Sequence, residues 1–268
     1  MKAPAIFQSY TQNILRDAVI TATASPRASF DLNALGYLRP DWRVCWDTGT
    51  VTIRLTHGSG SPAEQRQGDI LYIGAHNFDA GSPVAAVLTN DVGLVQVIAV
   101  PEPLGNGLCR PIVIDLTIAT PDPADRTPSY WELEVNQSSN LTLGGAIAIY
   151  GPKQYLLDRD FRYGYAQRQQ GLTIDHRNPY GASFEVDLGT MLRSVDVQAL
   201  ATKTDADALQ AYYEQCNGRR PGLLWFDPDV ADAFLGKWVG EFRRTFVFDD
   251  AEQIDLTFEE LSRGAVIL

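Results

Sequence analysis

The stretch TVTIRLTH, running from Thr50 to His57, alternates with a period of two: Val51, Ile53 and Leu55 share one side, and Thr52, Arg54 and Thr56 the other. A helix would spread these residues around its axis, whereas an extended chain stacks them on one face, so the spacing predicts a half-buried strand. The pattern recurs in PIVIDLTIA, where Ile112, Ile114, Leu116 and Ile118 alternate, and in YWELEVNQ, with Trp131, Leu133 and Val135. Between these runs lie THGSGSPAEQRQGD (56–69) and PDPADRTPS (121–129), whose Gly, Pro, Ser and Asp make turns and stop a helix from propagating. The first half of the chain therefore reads as a mostly antiparallel β unit.

The run GGAIAIYGPKQYLLDRD ends an apolar strand at Tyr150, and the Gly151-Pro152 pair that follows marks a boundary, because proline cannot donate to a ladder. Residues 1–150 and 151–268 are thus expected to form separate units. Alternation resumes in ASFEVDL (Phe184, Val186, Leu188), RSVDVQAL (Val195, Val197) and DLTFEEL (Leu256, Phe258), while EFRRTFVF sets Phe242, Phe246 and Phe248 on one side with Arg244. One segment reads as a helix, about 204–217. Leu209, Tyr212, Tyr213 and Cys216 recur at helical spacing, Thr204 is the expected N-cap, and Asn217-Gly218 makes the stop.

Composition narrows the function. With 33 acidic against 22 basic residues and a net charge of −11, the protein is poorly suited to hold nucleic acid or an anionic membrane. No run approaches the roughly 18 apolar residues of a membrane span, and MKAPAIFQSYTQ lacks the apolar stretch of a signal peptide, so a soluble protein with no membrane span is expected. The cysteines, Cys45, Cys109 and Cys216, are odd in number and widely spaced, which favours reduced core thiols over a disulfide frame or zinc site.

Three groups of residues are candidates for chemistry. In RRPGLLWFDPDVADAF (219–234), Asp227, Asp229 and Asp232 follow an apolar run, as carboxylates do in a metal site. Pro228 separates the first two and no glycine stands where a calcium loop needs one, so the segment reads as the polar tip where a strand leaves its sheet. The histidines, His57, His76 and His176, have no His-x-x-x-His spacing and no nucleophile elbow beside them, and each reads as a turn or surface residue. In GYLRPDWRVCWDTG, Trp42 offers a face on which a sugar ring stacks, with Arg39 and Asp41 placed to bond hydroxyls; Trp46 reads as core.

The order of these segments resembles a known arrangement. RPDWRVCWDTG, DILYIGAHNF, PSYWELEVNQ and LGGAIAIYG are together similar to the discoidin-like (galactose-binding-like) β-sandwich of bacteriophage tail-tip proteins. RDFRYGYAQRQQGLTIDHRNPYGASFEVDLGTML, the capped helix, GLLWFDPD and GKWVGEFRRTFVFDDAEQIDLTFEEL resemble the tail-tube-like β domain of distal tail and minor tail proteins of long non-contractile phage tails. The resemblance implies a mainly β chain: a galactose-binding-like sandwich, then a tail-tube-like β-sandwich or barrel with one packed helix. It implies a non-enzymatic structural component of the tail tip, made in the bacterial cytoplasm and carried in the virion. Such a component would form a homo-oligomeric ring, threefold or sixfold, between the tail tube and the hub and fibre proteins, with DNA passing through ungripped. An exposed strand edge, or the polar hairpin around Gln167, Arg168, Gln169, Gln170, Gly171, His176 and Arg177 with its tip near Gln169 to Gly171, is the expected subunit contact. No cofactor is expected: three scattered cysteines cannot supply the four thiolates of the iron–sulfur cluster that one related branch holds.

Two other functions remain open. The sandwich would be a carbohydrate-binding module for host-surface sugars if Arg39, Asp41 and Trp42 form its site, and a hydrolase if the loop carboxylates converge as glycosidases require.

Overall fold

The computed structural model describes residues 6–8, 12–36, 43–58, 64–74, 76–78, 84–99, 109, 111–144, 147–152, 165–177, 183–216, 222–227, 232–248 and 251–260. The chain divides into two compact units, Thr11–Gln154 and a second made of Met1–Tyr10 with Tyr155–Leu268. The architecture is mainly β, with antiparallel pairing throughout the described ladders and two short helices.

The first strand, β1 (Ile6–Gln8), pairs with β14 (Gly222–Asp227) and so belongs to the second unit, a long-range pairing that a boundary at Gly151 does not provide for. In the unit Thr11–Gln154, a five-stranded sheet has the order β2 (Val19–Ala22), β4 (Thr50–Thr56), β9 (Tyr130–Asn136), β6 (Ala86–Asn90), β7 (Val95–Ile98). A three-stranded sheet of β11 (Ile147–Tyr150), β5 (Ile70–Ile73) and β8 (Ile112–Asp115), and a pair formed by β3 (Arg43–Cys45) and β10 (Thr142–Gly144), complete it. One core joins these sheets: Val51, Ile53, Leu55, Trp131, Leu133 and Val135 pack with Leu71, Ile73, Ile147, Ile149 and Trp46. That interleaving of two sets of inward residues makes the unit a β-sandwich. Trp46 is fully buried as its sequence context implies, its Nε1–H donating to the Ala24 carbonyl at 3.0 Å.

PIVIDLTIA is not one strand. Asp115 Oδ1 accepts from the Thr117 N–H at 3.0 Å and the Thr117 hydroxyl at 2.5 Å, which caps a helical turn, α1 (Leu116–Ala119), and ends β8 at Asp115. Ile118, expected inside, is 79% exposed.

The second unit is a six-stranded sheet of order β1-β14-β15-β16-β13-β12, with β12 (Tyr165–Arg177), β13 (Ser183–Thr202), β15 (Asp232–Phe248) and β16 (Ala251–Glu260). ASFEVDL and RSVDVQAL, read as separate strands, are parts of the single strand β13. The helix α2 (Lys203–Cys216) packs Leu209 and Tyr212 inward. Its cap is Thr202, not Thr204: the Thr202 hydroxyl accepts from the Asp205 N–H at 3.2 Å and donates to Asp205 Oδ2 at 2.7 Å, while Thr204 is exposed in the first turn. Arg244 ties the helix to the sheet through Glu252, Asp207 and Gln210 at 2.5, 2.8 and 2.7 Å. The carboxylates raise the guanidinium pKa, and Arg244 in turn lowers that of Glu252.

Candidate functional site

The sandwich core holds polar chemistry that its sequence conceals. His57 continues the inward face of β4, directly after Val51, Ile53 and Leu55, and is completely buried. Its Nε2 accepts from Trp131 Nε1–H at 3.0 Å. An imidazole that accepts there must be neutral, and burial, reinforced by the nearby Arg66 charge, lowers its pKa to about 4. Neither is a surface residue: His57 is buried at the bend that follows β4, and His76 is also fully buried, its Nδ1 accepting from the Phe78 N–H at 3.2 Å and its carbonyl from the Cys109 N–H at 2.6 Å. His176 lies on β12, and Cys109 is buried, with burial pushing its thiol pKa up.

Nearby, Asp69 and Arg126 form an ion pair at 2.6 Å with side chains 6% and 4% exposed. Arg126 also donates to the Thr120 and Pro121 carbonyls, and Gln67 donates to Asp69, so the pair is bonded on all sides and fastens the 116–126 loop to β5. At the surface, Arg66 grips Asp17 with two bonds of 2.5 and 2.9 Å, reaches Glu64 at 2.7 Å and donates to the Ile14 carbonyl at 3.2 Å. Asp17 is held below the ordinary carboxylate range by this hydrogen bond. On the outer face of the five-stranded sheet, Arg54 bonds Glu132 at 2.7 Å and lies 4.2 Å over the Tyr130 ring. These groups are mutually engaged in structure, and His57 and His76 are fully buried.

Of the residues singled out for sugar binding, Arg39, Asp41 and Trp42 lie outside the described residues. Both flanks of their loop are placed: Gly36 is buried at the end of the 3-10 turn Leu32–Gly36, and Arg43 opens β3 opposite Gly144. In the acidic segment, Asp227 closes β14 and Asp232 opens β15, paired with each other in register; Asp229 lies outside the described residues. The two strands on either side of the segment are antiparallel neighbours. Among the described residues no group of three or more His, Cys, Asp or Glu is arranged to hold a metal ion, and no helix is long and apolar enough to cross a membrane.

Gln167 to Arg177 form no hairpin tip. They run within β12, with Gln169 opposite Arg193, Gln170 opposite Leu192 and Gly171 opposite Met191, and the register shifts between Gly171 and Thr173. Polarity misled here because an edge strand tolerates glutamines that a central strand does not. The connection lies after Arg177. Since β16 meets β13 only from Ser194 onward, residues 173–177 and 183–187 form a two-stranded ribbon beyond the end of the shared sheet. In register, Ile174 stands opposite Val186, Thr173 opposite Asp187 and Asp175 opposite Glu185.

No family model matches the chain, and neither does any curated protein. Among solved structures, it is similar to chitosan-binding module 1 of a chitosanase/glucanase from Paenibacillus sp. IK-5, at 16% identity and a TM-score of 0.35, over 52% of this chain and 98% of that one. It is also similar to the family 32 carbohydrate-binding module of C. perfringens NanJ, solved with galactose, at 11% identity and a TM-score of 0.35, over 55% of this chain and 100% of that one. Likenesses at this level assign neither a ligand nor a residue.

Proposed function

We propose that the sandwich unit Thr11–Gln154 is a non-catalytic module that recognises carbohydrate through the loop 37–42, with Arg39 and Asp41 bonding hydroxyls and Trp42 against a sugar ring. The observation that carries this reading is how the unit disposes of its polar groups. His57, His76, Asp69 and Arg126 are buried in the core, while the residues on either side of the Arg39, Asp41 and Trp42 segment are placed, Gly36 buried and Arg43 in β3. Recognition of a sugar needs an aromatic face beside hydrogen-bonding side chains and no reaction machinery. The test is a glycan array probed with the intact chain, with product analysis of every polysaccharide bound. Binding without turnover supports the module; turnover lost in Asp227→Ala would replace it with a hydrolase.

A second reading places this module on an assembly protein of a long non-contractile phage tail tip, ring-forming and carried in the virion. The ribbon of β12 and β13 favours it. A two-stranded ribbon is marginal alone in water and is stabilised by a neighbour that packs against it. Imaging of intact tails with an antibody to the chain tests it: label at the tip supports the reading, and label absent from virions removes it.

A further inference from the structure

Two segments carry the chain into and out of the sandwich, and they lie side by side. Ile14 N–H donates to the Ile149 carbonyl at 2.8 Å, Gly151 N–H to the Gln12 carbonyl at 3.2 Å, and Asn13 bridges to Tyr150. The buried Asn13 side chain strengthens the pairing, its Oδ1 accepting from the Leu15 and Ile149 N–H groups at 3.1 and 3.3 Å. Asp69 N–H donates to the Tyr150 carbonyl at 2.8 Å, which holds the exit segment on β5. No slack exists beneath them. A Cβ on Gly68 would stand 2.5 Å from Ile149 Cγ2, 2.8 Å from Trp131 Cζ2 and 3.3 Å from Ile14 Cδ1, and a Cβ on Gly151 would run into the Gln67 carbonyl.

His57 sits at this junction. With Nε2 accepting from Trp131, the ring's proton must be on Nδ1, which has no hydrogen bond of ordinary geometry; the Ile14 carbonyl is the acceptor beside it and favours the proton. That carbonyl already accepts from Arg66. The charged groups around the ring are Arg66, with Asp17 and Glu64 bonded to it, and Asp91. A second proton, on Nε2, would set two donors, His57 and Trp131, against each other at a fully buried position, and would add a cation beside Arg66. Both effects are relieved by movement, and the entering turn 12–17 belongs to no strand, whereas Trp131 sits in β9 between β4 and β6.

We infer that His57 is an acid-sensitive latch: its protonation releases the entering segment 12–17 from β11 and the core while the sheets stay intact. The latch loosens the lead by which the chain enters this unit, a regulatory device independent of what the sandwich binds. In the released state His57 reverts toward its ordinary pKa near 6.5, so opening becomes easier by up to tenfold per pH unit as pH falls from about 6.5 towards 4.

Hydrogen exchange on the full chain, corrected for intrinsic rates, tests this. The Ile14 and Gly151 amides are expected to exchange through a partial opening, well before the Ile53 and Leu133 amides, with a protection factor that falls up to tenfold per pH unit in that window. In His57→Gln, whose amide can accept from Trp131 and donate to Ile14 without titrating, the pH slope should vanish. If that variant does not fold, the wild type still decides the matter, because the slope must follow the His57 titration seen by NMR. Exchange of Ile14 and Gly151 together with the sheet amides, or a partial opening that lacks the slope or keeps it in His57→Gln, would overturn the proposal.

Discussion

At His57, Trp131, Asp69 and Arg126 the sandwich accepts polar groups in its interior on the condition that each is engaged. The His57 pKa of about 4 has a direct consequence for stability. An unfolded histidine takes up its proton near pH 6.5, before the folded one does, so this contribution is complete above that pH and is lost as pH falls towards 4. The loss amounts to roughly 3 kcal/mol. Denaturant titrations at pH 7 and pH 4.5 should show most of it in the wild type and little in His57→Gln. The Asp17 carboxylate, lowered by its bond to Arg66, adds a further loss at more acid pH, as it is protonated. The Asp69 and Arg126 pair behaves differently: Asp69→Asn leaves a buried cation uncompensated and should cost about 3–5 kcal/mol by denaturant melts, and a cost below about 1 kcal/mol would mean that the pair is open to water. His57 was legible in the sequence, since it continues the odd-numbered inward face of Val51, Ile53 and Leu55, and its polarity alone argued it outside. Asp69 and Arg126 gave no such signal, because they are 57 positions apart and meet only once the fold is made.

Elements read from periodicity survived best where a single face is buried. In β4 and β9 the inward residues are those whose alternation predicts them, and α2 has its predicted Leu209 and Tyr212 inside. Local side-chain bonds decided the exceptions: Asp115 turned an alternating run into a helical turn, and Thr202 took the cap two residues before the expected one. The length of β13 was hidden because ASFEVDL and RSVDVQAL each alternate on their own, while the residues between them, Gly189 and Thr190 included, also lie inside the strand. Leu209, 1% exposed, should cost about 2–4 kcal/mol on replacement by alanine. Thr202→Ala should cost about 1 kcal/mol, and Thr204→Ala next to nothing. Thermal melts of the three variants check the order, and an equal effect of the two threonine changes would return the cap to Thr204.

At the scale of the whole molecule, the chain leaves one unit at Tyr10 and returns to it at Tyr155, so the sandwich is inserted into the second unit rather than placed before it. The sequence marked the return through Gly151-Pro152 but not the departure, because β1 is a three-residue strand whose partner β14 is more than 200 positions away. Residues 11–154 should therefore fold alone, with the near-ultraviolet circular dichroism of the fully buried Trp46 and Trp131 retained. Residues 152–268 without 1–10 should be less stable than the same segment with Ile6–Gln8 restored, since β14 is left with an open edge. Composition reads the acidic segment as a strand tip but leaves residues 37–42 open, because a Trp beside Arg and Asp suits a packed corner and a binding site alike. Calorimetric titration of the intact chain with the strongest sugar from a glycan array, alongside Trp42→Ala and Arg39→Ala, separates these. Carbohydrate recognition through the 37–42 loop predicts saturable binding by the wild type that weakens at least tenfold in each variant with the fold unchanged. Absence of binding to any glycan, or affinity that both variants keep, would contradict it.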